Sequence, residues 1–449
     1  MGEFMKKIGD FVPDIKENHR IDRDLYDKYN VKRGLRNADG TGVLVGLTRI
    51  GDVHGYIIDE NEVVAVPGKL FYRGYDIEDI VANGVRENRF CFEETVYLLI
   101  FGYLPNKNQL ADFTALIGSS RDLPPNFAED CIIKTPSRDI MNKLARSVLT
   151  LYSYDDEPED QSPENVLRQC LELIARFPTI AAYSYMAKKH YYDHDSLIIH
   201  NPDPSLSTAE AILALTRLDM KYSRLEAEIL DLALVLHAEH GGGNNSTFAV
   251  HLISSAETDT YSAISAGIQS LKGFQHGGAN YKVIGMMEDC KKQVKIWESE
   301  DEVAAYLTAI MNGEAYDRYG LIYGQGHPVY TVSDPRAILL RDKAEALADE
   351  KGFTREFNLY KMIEKLTPEV FHKSKKSSKS ICTNVDFYSG FVYKMLGIPE
   401  DLYTSIFAIS RVAGWSAHRM EEIISGGRII RPAYKCVQNR QEYTEMGKR

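Results

Sequence analysis

Apolar residues recur at intervals of three and four along most of the chain after Tyr75, the spacing that places them on one face of a helix. Segments 93–101 and 141–152 show this spacing, and it restarts over Pro163–Lys188. The acidic run 155–160 lies between two such segments, and we interpret it as a solvated loop because its proline prevents a continuous helix. The pattern predicts a mainly α-helical protein.

One predicted helix is apolar on nearly every side. It spans Leu225–Leu236, runs into His237-Ala238-Glu239-His240 and stops at Gly241–Gly243. A helix that is apolar all round is buried. A buried helix that ends in histidines and glycines indicates a functional site at its end. A second helical stretch, 261–271, ends just before another glycine.

The convincing β signals are confined to residues of about 40–75. Three short apolar runs, 43–46, 55–59 and 63–68, are separated by turn residues and predict a small β-hairpin region. The preceding residues, 5 to about 40, are charged and poorly patterned, and we interpret them as an arm with one short helix.

Composition narrows the class of protein. With 449 residues the chain is too long for one ordinary core, which predicts two domains. Hydrophobic residues make up 44% and charged residues 26%, as in soluble globular proteins, and the net charge of −11 argues against nucleic-acid binding. Six cysteines without a Cys-x-x-Cys pair suit a reducing cytoplasm. We expect no membrane span and no signal peptide, and we regard residues 1–4 as a cloning remnant.

Four segments carry residues suited to chemistry. The clearest is Gly324-Gln325-Gly326-His327-Pro328, which is followed closely by Asp334-Pro335-Arg336. Glycines allow the backbone to approach a ligand, and an arginine can hold a carboxylate by two hydrogen bonds. The other three segments are 237–248, 271–280 and 383–390, which contain His240, His276 and Asp386 respectively.

In motif, order and spacing these four segments resemble the citrate synthase family. The resemblance extends to residues 68–76, to Arg411 and to 428–432, and so covers about 31–435. It implies a mainly α-helical, two-domain fold with a small N-terminal β-hairpin region. The large domain would take residues 1–277 and 388–449, and the small domain 278–387. It also implies a homodimer.

The resemblance implies an acyltransferase that condenses acetyl-CoA with oxaloacetate and hydrolyses the product to citrate, as in the tricarboxylic acid cycle. Asp386 would be the base, His276 would stabilise the enolate and His327 would be the acid at the oxaloacetate carbonyl. Oxaloacetate would contact His240, Arg336, Arg411 and Arg431, with Arg431 completing the neighbouring subunit's site. The chemistry needs a positioned carboxylate and a neutral donor, which these residue types supply. No metal or further cofactor is implied.

The resemblance is less specific about which residues contact coenzyme A. It implies contacts with the loop before His327, including Leu321, Gly324 and Gly326, and with Lys379. Lys379 belongs to a basic run that is equally well explained as a solvated face. Pro328 departs from the arginine or alanine of many relatives, which puts local coenzyme A contacts in question.

Several other readings stay open. The same residues would serve a 2-methylcitrate synthase that uses propionyl-CoA, or a catalytically silent relative that binds coenzyme A or a dicarboxylate. A metal-dependent hydrolase built on His237 and His240 would lack the His-Glu-x-x-His frame. We interpret His237 and His251 as structural, and Gly241–Gly243 as a helix stop rather than a phosphate loop. The sequence pattern does not predict which acyl group is preferred or whether the activity is under allosteric control.

Overall fold

The computed structural model describes residues 8, 12–13, 15–37, 40–60, 62–375 and 381–448. These residues fall into two compact units, the first ending at Leu47 and the second beginning at Thr48. In the first unit, helix α1 spans Asp24–Lys28 and a 3₁₀ turn spans Arg33–Leu35. Residues 15–18 are also helical, so the arm has more helix than predicted.

The second unit begins with the predicted hairpin. Strand β1 (Gly51–Asp59) pairs antiparallel with β2 (Glu62–Tyr72), and β2 pairs with the short β3 (Tyr75–Asp76). The residues between β2 and β3 both take positive φ values, 51° for Arg73 and 86° for Gly74, as a tight hairpin turn requires. The sheet is therefore a small three-stranded one.

The predicted strand at residues 43–46 was wrong. These residues take no regular structure; Leu44 within the run and Leu47 just after it are 86% and 92% exposed. A short apolar run becomes a strand only where a partner strand supplies hydrogen bonds. Beside this run an isolated backbone bridge joins Arg36 to Gly42, and the Val43 N–H donates to the Leu35 carbonyl at 2.9 Å, but no strand of the described residues pairs with it.

The rest of the second unit is predominantly helical, which confirms the predicted fold class. Its main helices are α2 (Ile77–Glu87), α3 (Phe92–Phe101), α4 (Lys107–Ser119), α5 (Ile140–Leu151), α6 (Pro163–Tyr192), α7 (Thr208–Thr216), α8 (Arg224–His237), α9 (Asn245–Ser254), α10 (Thr260–Lys272), α11 (Ala279–Gln293), α12 (Glu300–Met311), α13 (Pro335–Lys351), α14 (Thr354–Lys375), α15 (Val385–Met395) and α16 (Tyr403–Ser425).

Helices α8 and α16 lie at the centre of the unit. Helix α8 begins with a capping box, in which Ser223 and Glu226 satisfy each other's backbone N–H groups, and its residues from 229 to 237 are buried. Helix α16 packs against α8 and is buried at Tyr403 and from Ser405 to Arg419. The predicted buried helix is thus confirmed, and its end lies deep inside the protein.

The acidic run 155–160 does form a loop, but it is not simply solvated. The side chain of Asp155 is only 4% exposed. It accepts hydrogen bonds from Arg168, Gln169 and the Tyr261 hydroxyl, the last at 2.7 Å. From the sequence alone, a carboxylate in such a run is expected to face solvent, because the side chains that enclose it are not its neighbours in the chain.

Among the described residues, no helix combines the length and the apolarity needed to cross a membrane. Within residues 278–387, α12 and α13 both pack on α14. Helix α13 also packs on α8, which lies outside this range. The division into a large and a small domain stays a prediction.

Candidate active site

The end of α8 is fixed by contacts with the sheet. The Tyr72 hydroxyl lies 2.9 Å from the Val235 carbonyl oxygen and accepts a hydrogen bond from the Glu239 N–H. Gly241 then takes a φ of 81°, which turns the chain away from the helix axis. His240 is thereby held in a buried position, 9% exposed.

A second loop is clamped to the start of α15. The Gly326 N–H donates to the Cys382 carbonyl at 2.7 Å, and the Asn384 N–H donates to the Gly324 carbonyl at 2.9 Å. The Asn384 side chain also donates to the Gly326 carbonyl, at 2.9 Å. In the chain, His327 directly follows Gly326 of this clamp, and Asp386 lies two residues after Asn384. The clamp therefore fixes the two residues relative to each other.

The tautomer of His327 follows from its own loop. Its Nδ1 accepts hydrogen bonds from the backbone N–H groups of Val329 and Tyr330, each at 3.1 Å. Nδ1 therefore carries no proton, and the neutral ring must carry its proton on Nε2. The ring stacks on Tyr330 with centroids 4.7 Å apart, and the His240 ring lies edge-on at 5.1 Å.

The hairpin supports this loop from behind. The Gly68 N–H donates to the Ser333 carbonyl at 3.1 Å, and a Cβ atom on Gly68 would lie 2.1 Å from that oxygen. A Cβ atom on Gly55 would lie 2.4 Å from the Val329 carbonyl oxygen. Both glycines are needed because the sheet and the loop approach each other by backbone contact.

Arg336 is oriented by the start of α13. Asp334 caps that helix, and its carboxylate also accepts two hydrogen bonds from the Arg336 guanidinium, at 3.0 and 2.7 Å. Burial favours the uncharged guanidine, but the Asp334 charge and hydrogen bonds outweigh it and raise the pKa of Arg336. Arg336 therefore stays charged although it is only 4% exposed.

Arg411 and His240 present buried polar atoms without a protein partner. Arg411 is fully buried, and its Nε donates to the His237 carbonyl at 2.6 Å. Its Nη1 and the Nε2 of His240 have no hydrogen-bond partner among the described residues. Burial lowers the pKa of Arg411 to about 10, so the group remains a cation. Buried polar atoms need partners, so these two indicate a site for a polar ligand.

His276 follows the end of α10 and contacts a buried hydroxyl. Its Nε2 lies 3.0 Å from Ser246 Oγ, which also accepts a hydrogen bond from Trp415 Nε1 at 3.1 Å. Burial and then the charge of Arg411 lower the pKa of His276 to about 4. Its ring is therefore neutral at physiological pH.

Asp386 lies in the first turn of α15, where the Asn384 side chain caps the helix. Burial raises the pKa of Asp386 to about 6, against the attraction of Arg336 and Arg411. Its carboxylate thus titrates close to neutrality and can accept a proton near physiological pH. A carboxyl group with a raised pKa that interacts with the same guanidinium group, Arg411, as a neutral imidazole, His276, is typical of catalytic sites.

The structure does not bring every predicted site residue to this place. Arg431 is exposed in the segment after α16, and no hydrogen bond or ion pair joins it to the other predicted residues within the described ranges. Leu321 is 55% exposed and lines a cavity of about 350 Å³ together with Gln325 and Phe371. Lys379 lies outside the described residues. The coenzyme A contacts therefore stay predictions.

Sequence reasoning missed several residues that shape the site. Ser246 lay inside a quoted segment, but nothing marked it as the partner of His276. Glu239 and Phe407 were not proposed either; the Phe407 ring lies 6.4 Å from that of His276 and 4.8 Å from the Arg411 guanidinium. The sequence offered one signal, and it concerned Asp334 rather than these residues. An Asp followed directly by a Pro is typical of a helix start, which is where Asp334 lies.

The alternative built on His237 and His240 finds no support in the geometry. Burial lowers the pKa of His237 to about 3, and its Nδ1 lies 2.7 Å from the Ala233 carbonyl in the same helix. Neither histidine belongs to a cluster of three or more metal-ligating groups in the described part of the chain.

A carboxylate poised near neutrality, two neutral imidazoles and two buried guanidinium groups define a class of enzyme. Such a site can remove a proton from carbon beside a carbonyl group and hold an anionic acceptor. Comparison with known proteins identifies the family. Residues 38–433 match the model of the citrate synthase C-terminal domain. The chain belongs to the citrate synthase family of acyltransferases.

Individual relatives agree with this assignment. The citrate synthase of Haloferax volcanii is 33% identical over 90% of this chain and 94% of its own length. The 2-methylcitrate synthase of Shewanella oneidensis is 31% identical over 82% and 89%. A solved ternary complex of citrate synthase from Thermoplasma acidophilum with carboxymethyl coenzyme A and oxaloacetate aligns with a TM-score of 0.76, 26% identity and 93% and 99% coverage.

Proposed function

We propose that the protein condenses acetyl-CoA with oxaloacetate and hydrolyses the product to citrate and free coenzyme A. The observation that carries this proposal is a set of shared electrostatic neighbours. Arg411 interacts with both Asp386, whose pKa is about 6, and His276, and both His276 and His327 interact with His240. The relative from Thermoplasma acidophilum, solved with a coenzyme A analogue and oxaloacetate, supports the same pair of substrates.

In the first step Asp386 accepts a proton from the methyl carbon of acetyl-CoA. The C–H electron pair moves into a carbon–carbon double bond, and charge develops on the thioester oxygen. His276 donates a hydrogen bond to that oxygen, and the contact of its Nε2 with Ser246 Oγ at 3.0 Å orients the ring. A neutral imidazole matches this task because it stabilises the enolate without being a strong free acid.

In the second step the enol carbon attacks the ketone carbon of oxaloacetate. The new carbon–carbon bond places charge on the ketone oxygen, which takes the proton from Nε2 of His327. Arg336, Arg411 and Nε2 of His240 hold the two carboxylates of oxaloacetate. Two of these three groups are supported by a specific feature: each carries a buried polar atom with no partner among the described residues, Nη1 of Arg411 and Nε2 of His240.

In the last step water attacks the thioester carbon of the product. Before this step Asp386 passes the proton gained in the first step to solvent, and His327 recovers a proton from solvent. Asp386 then takes a proton from the attacking water, the carbon–sulfur bond breaks, and the leaving thiolate takes that proton to give free coenzyme A. The cavity beside Leu321 is the proposed place for the nucleotide end of coenzyme A. We also propose a cytoplasmic homodimer in which Arg431 serves the neighbouring subunit's site; the exposure of its segment supports this.

The acyl group needs its own experiment, because a 2-methylcitrate synthase relative is nearly as similar as the citrate synthases. Thiol release should be followed with oxaloacetate and either acetyl-CoA or propionyl-CoA at matched concentrations. We expect kcat/KM to be higher with acetyl-CoA. A higher value with propionyl-CoA would make the protein a 2-methylcitrate synthase. No thiol release with either thioester would make it a silent relative.

A further inference from the structure

Two histidines and three glutamates meet where the end of α9 packs against the C-terminal half of α16. Glu422 Oε2 lies 2.9 Å from His251 Nδ1, and His251 Nε2 lies 2.9 Å from His418 Nδ1. His418 Nε2 lies 3.1 Å from Oε1 of Glu239. The third glutamate, Glu421, lies beside this row, with Oε2 3.8 Å from His418 Nδ1. None of these side chains is needed for the proposed reaction steps.

The row cannot satisfy its hydrogen bonds with neutral rings and ionised carboxylates. Each of its three contacts needs one proton, and a carboxylate at either end can only accept. Two neutral imidazoles carry only two protons, so one of the three contacts lacks a hydrogen. A cation held between the rings would satisfy both facing nitrogens without one.

Glu421 adds a further negative charge without a matching donor. Its Oε1 accepts from the Arg49 N–H at 2.8 Å, but its Oε2 is buried and has no hydrogen-bond partner among the described residues. The nearby Arg73 guanidinium is attracted to Glu421 and Glu239, yet it donates to the Leu99 carbonyl instead. The cluster thus favours an additional cation.

The arrangement matches the preferences of a divalent transition metal. One ligand atom from each of His251, His418 and Glu421 lies within 4.8 Å of the others. Two imidazole nitrogens and one carboxylate oxygen form a ligand set that zinc accepts, with a position left for water. The second nitrogen of each ring faces a carboxylate, Glu422 for one and Glu239 for the other. Such partners orient metal-binding histidines and strengthen them as ligands.

We propose that His251, His418 and Glu421 form a binding site for a divalent transition-metal cation such as zinc. The cation lies between the facing nitrogens of the two rings, and any proton held there is released to solvent when it binds. It links α9 to α16 and, through Glu239, stabilises the turn that carries His240. The site is separate from the residues proposed for proton transfer.

The test uses the full-length chain without an affinity tag and zinc as the only added ligand. Competition against a chromophoric chelator at pH 7.5 should give one zinc ion per chain. His251→Gln and Glu421→Gln should each weaken binding by about tenfold or more. Both side chains lie at the edge of the cluster, 13% and 14% exposed, so their replacement leaves the core intact. His54→Gln is the matched control, because His54 pairs with Asp52 on the surface at 3.0 Å.

A second measurement separates a specific site from weak surface binding. Zinc should raise the thermal unfolding midpoint of the wild type and of His54→Gln, but not that of His251→Gln or Glu421→Gln. The proposal is overturned if the wild type takes up no stoichiometric zinc. It is also overturned if His251→Gln and Glu421→Gln bind zinc as the wild type does. Because no readout depends on turnover, failure here is distinguishable from failure of the proposed function.

Discussion

Replacing Asp386 by asparagine should abolish catalysis and at the same time stabilise the fold. The asparagine keeps the shape of the side chain but cannot accept the proton, so turnover should fall by at least ~100-fold, the usual contribution of a general base. The stabilisation has a separate cause. Burial disfavours the charged carboxylate of Asp386 in the folded state and raises its pKa from 3.8 to about 6.

The size and the pH dependence of the stabilisation follow from that shift. Between pH 3.8 and about 6 the folded state binds more protons than the unfolded state, so wild-type stability falls as the pH rises through this window. A shift of about two units corresponds to roughly 3 kcal/mol at 1.36 kcal/mol per unit. Asp386→Asn has no carboxyl group to titrate at this position, so its stability does not fall in this way. It should therefore exceed the wild type by roughly 3 kcal/mol above pH 7 and match it below about pH 4.

Denaturant unfolding of both proteins at fixed protein concentration, at pH 4, 5, 6 and 8, measures this difference. Asp301→Asn is the matched control, because Asp301 is also the second residue of a helix, α12, but is exposed. It should show no comparable gain. An Asp386→Asn protein no more stable than the wild type at pH 8 would refute the reasoning. So would a difference that does not shrink as the pH falls.

Three further predictions concern binding, assembly and packing. Oxaloacetate should increase the affinity for acetyl-CoA, because the arginines that hold the dicarboxylate favour a closed site; equal titrations with and without oxaloacetate would contradict this. A 1:1 mixture of inactive His276→Ala and Arg431→Ala dimers should recover about a quarter of wild-type activity after subunit exchange, since half the dimers then have one complete site. No recovery, with exchange confirmed, would show that Arg431 acts within its own subunit. Gly68→Ala should raise the KM for oxaloacetate and lower the unfolding midpoint, because its Cβ would lie 2.1 Å from the Ser333 carbonyl oxygen; Gly46→Ala, where a Cβ meets nothing within 4 Å, is the control.

Local patterns were enough to predict the helices of the core. Helix α8 could be bounded from the sequence because its apolar residues and its terminal glycines are close in the chain. The same holds for α10, whose predicted span 261–271 became Thr260–Lys272. The four segments with His240, His276, His327 and Asp386 were likewise recognisable, because each consists of neighbouring residues.

Patterns failed where a distant partner decides the outcome. Residues 43–46 have the composition of a strand, but strand formation needs a second strand, and none pairs with them in the described structure. Asp155 belongs to an acidic run, but Arg168, Gln169 and Tyr261 enclose it. The histidines of α9 and α16 show the same limit: 167 residues separate His251 from His418, and only the fold brings their rings together.

The chemistry of the site depends on both levels. The sequence by itself determined which residue types are available and which stand next to a turn or a helix start. Only the tertiary structure decided their charge and proton positions. Asp386 acquires its raised pKa from burial among distant segments, and the orphaned Nη1 of Arg411 exists because α16 packs against α8. Desolvation and electrostatic interaction act through space, so they cannot be inferred from spacing along the chain.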